Sequence, residues 1–253
     1  MKKFTYKKEN AVKYNKIIKG KFIERPNRFV AFVKLDESGT VATCHVKNTG
    51  RCKELLLPGT SVYLEDHRED MGSRKLAYSL IAVEKITGKD SQILINMDSQ
   101  APNRVTKEAL QSGKIDLLKE EFHNLKIISP EKTFGESRLD FYIEGDNGKK
   151  GFIEVKGVTL EDGGVAYFPD APTERGVKHI RELIAAKEQG YEAYVLFVIQ
   201  MKEIRHFSPN DKTHPQFGQA LRDAESEGVH ILAYDCLVKQ DSLEIDSPVP
   251  VVL

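Results

Sequence analysis

The stretch from Gly135 to Lys156 reads G-E-S-R-L-D-F-Y-I-E-G-D-N-G-K-K-G-F-I-E-V-K, and the pattern is that of a β-hairpin. Leu139, Phe141 and Ile143 alternate with Arg138, Asp140 and Tyr142; beyond the turn, Ile153 and Val155 alternate with Glu154 and Lys156. Side chains in a strand point to opposite faces with period two, so each strand carries one apolar and one polar row. Asp146-Asn147-Gly148 supplies residue types that tolerate the positive φ of a hairpin turn. The polar rows bring Asp140, Glu154 and Lys156 to one face. Two carboxylates and an ammonium at close quarters can hold a divalent metal against a phosphodiester.

A half-exposed hairpin with cross-strand ion pairs is the competing reading, since such pairs are common and contribute only about 0.2–1 kcal/mol. The next segment, Val165 to Gly190, weighs against it because it has the pattern of a loop and helix that cover this face. Unpaired charge under a cover is costly, so charges kept there generally serve a function or a metal.

The chain of 253 residues suffices for one large domain or two small ones. No apolar run approaches the ~20 residues of a membrane-spanning helix, and no apolar signal-peptide region follows the basic start, so no membrane partner is expected. The three cysteines, Cys44, Cys52 and Cys236, lack C-x-x-C spacing and predict reduced thiols in a cytoplasm. Cys44, His45 and Cys52 have the types of a zinc site, but no fourth ligand stands at a usual spacing. Formal net charge is zero, yet residues 1–34 hold eleven Lys or Arg against Glu9 and Glu24, a local +9. A basic stretch of this kind is a footprint for phosphate; for Met1 to Tyr14 a solvated tail is the alternative.

Residues 1–16 are therefore expected to be a basic extension. From Ile17 to Asn96 short strands separated by turns predict an OB-like barrel over 17–96. Two polar clusters stand out in it, Arg25-Pro26-Asn27-Arg28 and Asn48-Thr49-Gly50-Arg51. The second is expected to open a short helix capped by Thr49, where free N–H groups and Arg51 make an anion site. From 97 to 240 strands and helices alternate, predicting a three-layer α/β domain with a mixed sheet. Asn103 is expected to cap a helix over 104–111, and Thr173 one that runs to Gln189. Tyr191–Ile199 is a continuous apolar run, as for a strand buried on both faces. Residues 241–253 are expected to form a loose tail.

The segments E-R-P-N-R-F, N-T-G-R, P-G-x-x-V, P-N-R-V-x-x-E-A-L, F-G-x-S-R-L-D-F, E-V-K-G-V-T-L, F-P-D-A-P-T-x-R-G-x-K-H-I-x-E-L and H-F-S-P-N occur in that order. Over roughly residues 17–238 the chain thereby resembles the sugar fermentation stimulation protein A family. The resemblance implies an OB-like front half, a back half like the PD-(D/E)XK nucleases, binding to DNA, and a regulatory role in sugar use. It implies Asp140 as the lone acid of the nuclease motif and Glu154-Val155-Lys156 as its E-x-K. Glu108 matches the further acid usual on the preceding helix, Gln200 the polar residue of the third strand, and Arg175 and His179 the basic residues of the next helix. One departure is Leu139 where the motif name has proline.

The implied chemistry is hydrolysis assisted by Mg²⁺ or Mn²⁺ on Asp140 and Glu154, with Glu108 as a third acid and Lys156 orienting water. DNA contacts are expected from Arg25, Asn27, Arg28, Asn48, Arg51, Arg138, Arg175, His179 and Gln200. Three functions stay open: a metal-dependent DNA nuclease, a DNA-binding regulator of sugar-utilisation genes (of the maltose type) that keeps the nuclease fold without turnover, and a module for a small acidic ligand or protein. The oligomeric state is open too, a homodimer being one option.

Overall fold

The computed structural model describes residues 12–48, 50–88 and 91–253. Most of the expected basic extension, and the capping role of Thr49, lie outside the described residues. The described residues begin with β1 (Val12–Lys13) and continue through β2 (Ile17–Asn27), β3 (Val30–Leu35), β4 (Val41–Val46), β5 (Ser61–Asp66), β6 (Tyr78–Ile86) and β7 (Gln92–Asn96). Strand β2 pairs with β3 and β5, β3 with β4, and β5 with β6. A parallel pairing of β4 with β6 closes these five strands into a barrel, to which β7 adds at β6. The barrel is small enough to be filled by side chains: Val33, Cys44, Val46, Val62, Leu64, Leu80 and Val83 are all buried.

Cys44 faces this interior and donates its thiol to the Ala31 carbonyl at 3.3 Å, while His45, one residue on, is exposed. Period-two alternation thus separates the two residues that suggested a zinc site, and burial pushes the Cys44 and Cys52 thiols up to about 12. The segment after Arg51 is a single turn rather than a helix: the amides of Leu55 and Leu56 both return to the Cys52 carbonyl.

Beyond the barrel come α1 (Ala101–Ser112), α2 (Asp116–Phe122), β8 (Leu125–Phe134), β9 (Ser137–Gly145), β10 (Lys150–Val158), β11 (Leu160–Asp162), β12 (Val165–Phe168), α3 (Glu174–Glu188), β13 (Glu192–Ile199), β14 (His206–Pro209), α4 (Pro215–Ser226), β15 (His230–Lys239) and β16 (Ser242–Pro248). Seven strands form one mixed sheet in the order β1-β16-β15-β13-β10-β9-β8, with β10, β13 and β15 parallel. Parallel neighbours need long crossovers, and α3 and α4 lie in the two that link β10, β13 and β15. The α1 residues Ala101, Val105 and Ala109 share one buried cluster with Ile153, Val155 and Leu196; Val177, Ile180 and Leu183 of α3 share another with Phe152, Val195 and Phe197. Neighbouring strand residues go to opposite clusters, so the helices cover opposite faces. Gly176 lets α4 approach α3, since a Cβ there would meet the Phe217 ring at 3.0 Å. The expected hairpin is β9–β10, turned at Gly148 with φ +81°. A small second sheet, β11-β12-β14, was not foreshadowed because its strands are too short to display a period.

Two expectations need correction. The tail from 241 is not loose: Leu243 and Ile245 are buried in β16, which pairs with β15 and, through Val12↔Leu243, with β1. Val12 and Tyr14 are buried as well, so the end of the expected extension belongs to the folded body. The barrel and the α/β domain also share a core. Buried barrel residues such as Phe22, Leu80 and Ile95 form one continuous cluster with Val158, Val177 and Phe207.

The connection between the bodies is itself buried. Asp98 is fully inaccessible and takes a hydrogen bond from Lys47 at 3.2 Å. The Gln200 side-chain amide, also buried, donates to the Asn96 carbonyl (3.1 Å), the Asn96 side chain (3.0 Å) and the Asp98 carbonyl (3.1 Å). Lys85 crosses from the barrel to the Glu161 carboxylate at 2.5 Å. Among the described residues no helix is long and apolar enough to cross a membrane. The shared cluster predicts that chemical denaturation proceeds in one transition. Gln200→Ala leaves buried acceptors unsatisfied and is expected to lower stability by about 1–3 kcal/mol. Two resolved transitions in the wild-type protein, followed by fluorescence and circular dichroism, would contradict the shared core.

Candidate active site and nucleic-acid interface

The hairpin register runs from Lys150↔Glu144 to Ile153↔Phe141 and stops there. Asp140 occupies the point where β9 and β10 part. Its Oδ2 accepts the Val155 amide at 2.8 Å, a backbone donor released by the parting of the strands, and its Oδ1 accepts from Asn103 Nδ2 of α1 at 2.8 Å. Asn103 is free for this because α1 begins at Ala101, after Gln100; it lies inside the first turn and is not the cap. The strict alternation expected of β9 breaks here too. Leu139 packs in the cluster of α3, whereas Phe141 and Ile143 pack in the cluster of α1. On the neighbouring β8, Pro130 pairs with Phe141 and Lys132 with Leu139; Glu131 between them has φ +55°.

Glu154 follows a simpler logic. It lies on β10 one residue before Val155 and is buried at 2% exposure. Its Oε1 accepts Lys156 Nζ at 2.5 Å and faces His179 Nδ1 of α3 in a short hydrogen bond. Its Oε2 is buried and has no hydrogen-bond partner among the described residues. His179 is itself buried, and its Nε2 accepts Arg175 Nε at 3.3 Å, one helical turn back. Thr173 caps this helix as expected, accepting the Gly176 amide at 3.1 Å.

The two carboxyls titrate in opposite directions. Burial, and then the negative charge of Glu154, push Asp140 above the usual aspartate range, against the opposing bonds from Val155 and Asn103 and the charge of Lys156. Burial pushes Glu154 up as well, but the His179 hydrogen bond and the charge and hydrogen bond of Lys156 more than offset it and leave Glu154 below its ordinary value. The carboxylates thus interact although each is anchored to a different layer, Asp140 to α1 and Glu154 to α3. The expectation that both stand in one polar row is too simple. An unclaimed, buried carboxylate oxygen beside a second carboxyl suits a hard divalent cation, which prefers such oxygens and retains waters.

Glu108 does not complete this pair. Burial and the charge of Glu244 push its carboxyl up, with Arg104 opposing. Its Oε2 is also buried without a partner. Among the described residues no three His, Cys, Asp or Glu side chains stand close enough to hold a metal together. Gln200, expected to touch DNA, has its amide donors engaged by Asn96 and Asp98 as described above. His179 is directed at Glu154, while Arg175 is exposed. Arg138 is exposed and stands 3.5 Å from Glu131.

In the barrel, Arg25 organises rather than offers itself. One guanidinium nitrogen donates to the carbonyls of Gly50 (2.9 Å) and Arg51 (3.0 Å), the other to those of Arg28 (2.6 Å) and Asn48 (2.7 Å). It clamps the two polar clusters together. Asn27 accepts the Phe29 amide at 2.9 Å and Asn48 the Gly50 amide at 2.8 Å, so both shape their own turns. Arg28 and Arg51 remain exposed, and Lys53, unremarked in the sequence, joins them on a groove of about 500 Å³ floored by Phe22, Leu56 and Pro58. Arg28 lies over the exposed ring of Phe29 at 6.0 Å. Asp170 was also missed. It accepts the Arg51 amide at 3.2 Å and so ties this loop to the approach to α3. A cavity of about 180 Å³ touches Asn48, Gly50 and Asp170 at one side and Gly157, the residue after Lys156, at another. Lys53 lies just beyond a quoted motif and Asp170 inside one, F-P-D-A-P-T, but neither role can be read from spacing because both arise from loop-to-loop contact.

Residues 23–96 match the SfsA N-terminal OB domain, and residues 100–242 match the sugar fermentation stimulation protein RE domain. A sugar fermentation stimulation protein homolog of Clostridium beijerinckii is 53% identical over 242 residues, covering 96% of this chain and 100% of the relative. A homolog from Desulfitobacterium hafniense is likewise 53% identical, covering 96% and 99%. The structure of Pyrococcus furiosus SfsA in complex with Ca²⁺ superposes with a TM-score of 0.81 at 28% identity, covering 95% of this chain and 98% of that one. The chain belongs to the sugar fermentation stimulation protein family.

Proposed function

We propose that the α/β domain hydrolyses phosphodiester bonds in DNA with Mg²⁺ or Mn²⁺ held by Asp140 and Glu154, and that the barrel holds the DNA backbone. The observation that carries this reading is Glu154 Oε2, buried and without a partner among the described residues, beside the Asp140 carboxyl that burial and then the Glu154 charge push up. The Ca²⁺ of the Pyrococcus furiosus relative supports it, being another hard cation that takes oxygen ligands. When bound, the cation polarises the phosphate and lowers the pKa of a water. Asp140 and Glu154 would hold it. Lys156 is within reach of Glu154 and serves to hold the attacking water or to offset charge growing on the phosphate. Arg28, Arg51 and Lys53 supply the phosphate contacts of the barrel, and Arg25 positions their loops.

A regulator without turnover is the second reading. It draws on the fact that Asp140 has both oxygens hydrogen-bonded and Lys156 is already ion-paired, a network that stands without a cation. Incubating the pure protein with single- and double-stranded DNA and RNA, with Mg²⁺, Mn²⁺ or chelator, separates the two. Cation-dependent cleavage that Glu154→Gln lowers by about 10²-fold or more supports the nuclease. Cation-independent DNA binding with no cleavage of any substrate supports the regulator.

Two further outcomes are expected. Asp140 retains its proton to higher pH than an ordinary aspartate near 3.9, and a cation has to displace that proton. Mn²⁺ affinity, measured by calorimetry, is therefore expected to rise with pH through a range above the usual aspartate value and then level off; a flat profile there counts against Asp140 as a ligand. In the barrel, Arg28→Ala, Arg51→Ala and Lys53→Ala are each expected to reduce the salt slope of DNA binding by about 1, for all sequences alike. Arg25→Ala is expected instead to lower thermal stability, since four carbonyls lose their donor. Unchanged salt slopes in all three variants would remove the groove from the DNA interface.

A further inference from the structure

His179 was expected to touch a phosphate, and the structure gives it another place. It is buried at 5% exposure, so it offers no face to a polymer. Its two ring nitrogens have different partners. Arg175 Nε always carries a proton, so at 3.3 Å it can only donate, and His179 Nε2 must accept. The single proton of a neutral imidazole then resides on Nδ1, which faces Glu154 Oε1. Lys156 Nζ converges on the same Oε1 at 2.5 Å. Both donors thus grip one oxygen of the carboxylate from two elements, α3 and β10, and Oε2 is left buried with no partner.

We infer that His179 is a positioning residue: locked by Arg175 in the Nδ1–H form, it fixes the rotamer of Glu154 so that Oε2 alone is presented to the cation. The inference rests on the cation site proposed above and deepens it. A carboxylate held by one oxygen cannot rotate to offer both, so it binds through one oxygen in a set direction. Preorganisation of this kind raises affinity by removing the cost of ordering a ligand at the moment of binding. Arg175 acts at one remove. Its exposed position places the rest of the guanidinium near solvent, while its Nε sets the tautomer of the ring beneath it.

The decisive experiment titrates Mn²⁺ into the full chain and its variants by calorimetry, with thermal denaturation run in parallel. His179→Asn keeps a donor close to the position of Nδ1 and is expected to bind Mn²⁺ within about 3-fold of wild type. His179→Gln, similar in size and polarity, carries its amide where Nε2 stood and is expected to lose about 10-fold or more. A purely structural histidine predicts the same Mn²⁺ affinity for both folded variants, and that result overturns the inference. Nitrogen NMR of the wild-type ring supplies a reading that does not depend on any variant: a protonated Nδ1 with an unprotonated Nε2 supports the lock, and the reverse tautomer overturns it. Failure of the underlying cation site is distinguishable, because wild-type protein then shows no Mn²⁺ binding at all while the NMR tautomer still reports the hydrogen-bond chain.

Discussion

A carboxylate stays charged inside a protein only when its desolvation is offset by nearby donors and positive charge. Glu154 meets that condition through Lys156 on its own strand and His179 on the helix that follows. The arrangement requires β10 to be central enough to be covered and α3 to pack directly over it. It also requires Arg175 to lie one turn before His179, so that the ring presents its proton to the carboxylate. Much of the α/β domain can be understood as the means of holding that geometry. The central strands are buried on both faces, the crossover helix sits over β10 and β13, and Gly176 permits α4 to pack against α3.

Asp140 is the complementary case. Among the described residues its hydrogen bonds come from two neutral donors, and its charge opposes that of Glu154. Strand irregularity makes room for it: the ladder ends at Ile153↔Phe141, freeing the Val155 amide, and the side-chain alternation of β9 shifts between Leu139 and Phe141. Departures from ideal strand geometry concentrate at functional positions, where they aim a side chain that a regular ladder would direct elsewhere. Under the proposed function, a divalent cation would relieve the tension between one depressed and one raised carboxyl.

The barrel contributes by contact as much as by charge. Arg25 closes its two polar loops on each other, and Asp170 and the buried Asn96–Asp98–Gln200 knot fix those loops against the α/β domain. Exposed Arg28, Arg51 and Lys53 are thereby presented from a rigid base. Of nine residues expected from sequence to contact DNA, several thus hold the protein in shape, because arginine, asparagine and glutamine satisfy backbone groups as readily as they bind phosphate.

Periodicity and turn chemistry are local properties, and what depends on them was legible in the chain. The β9–β10 hairpin, the capped helix α3, the apolar strand β13 and the barrel strands all follow from residue spacing, and the spaced motifs pointed to the family. The strand at β16 carried the alternating Leu243 and Ile245, but its place at the end of the chain suggested a tail until β1 and β15 were seen to flank it. Which oxygen of Glu154 is free, which layer Asp140 leans toward, that Glu108 stands apart from the Asp140–Glu154 pair, and that His179 serves a carboxylate were decided only by tertiary structure. Each depends on where residues far apart in sequence converge, and a spacing along one strand or helix carries no information about the register and packing that bring α1, β9, β10 and α3 together.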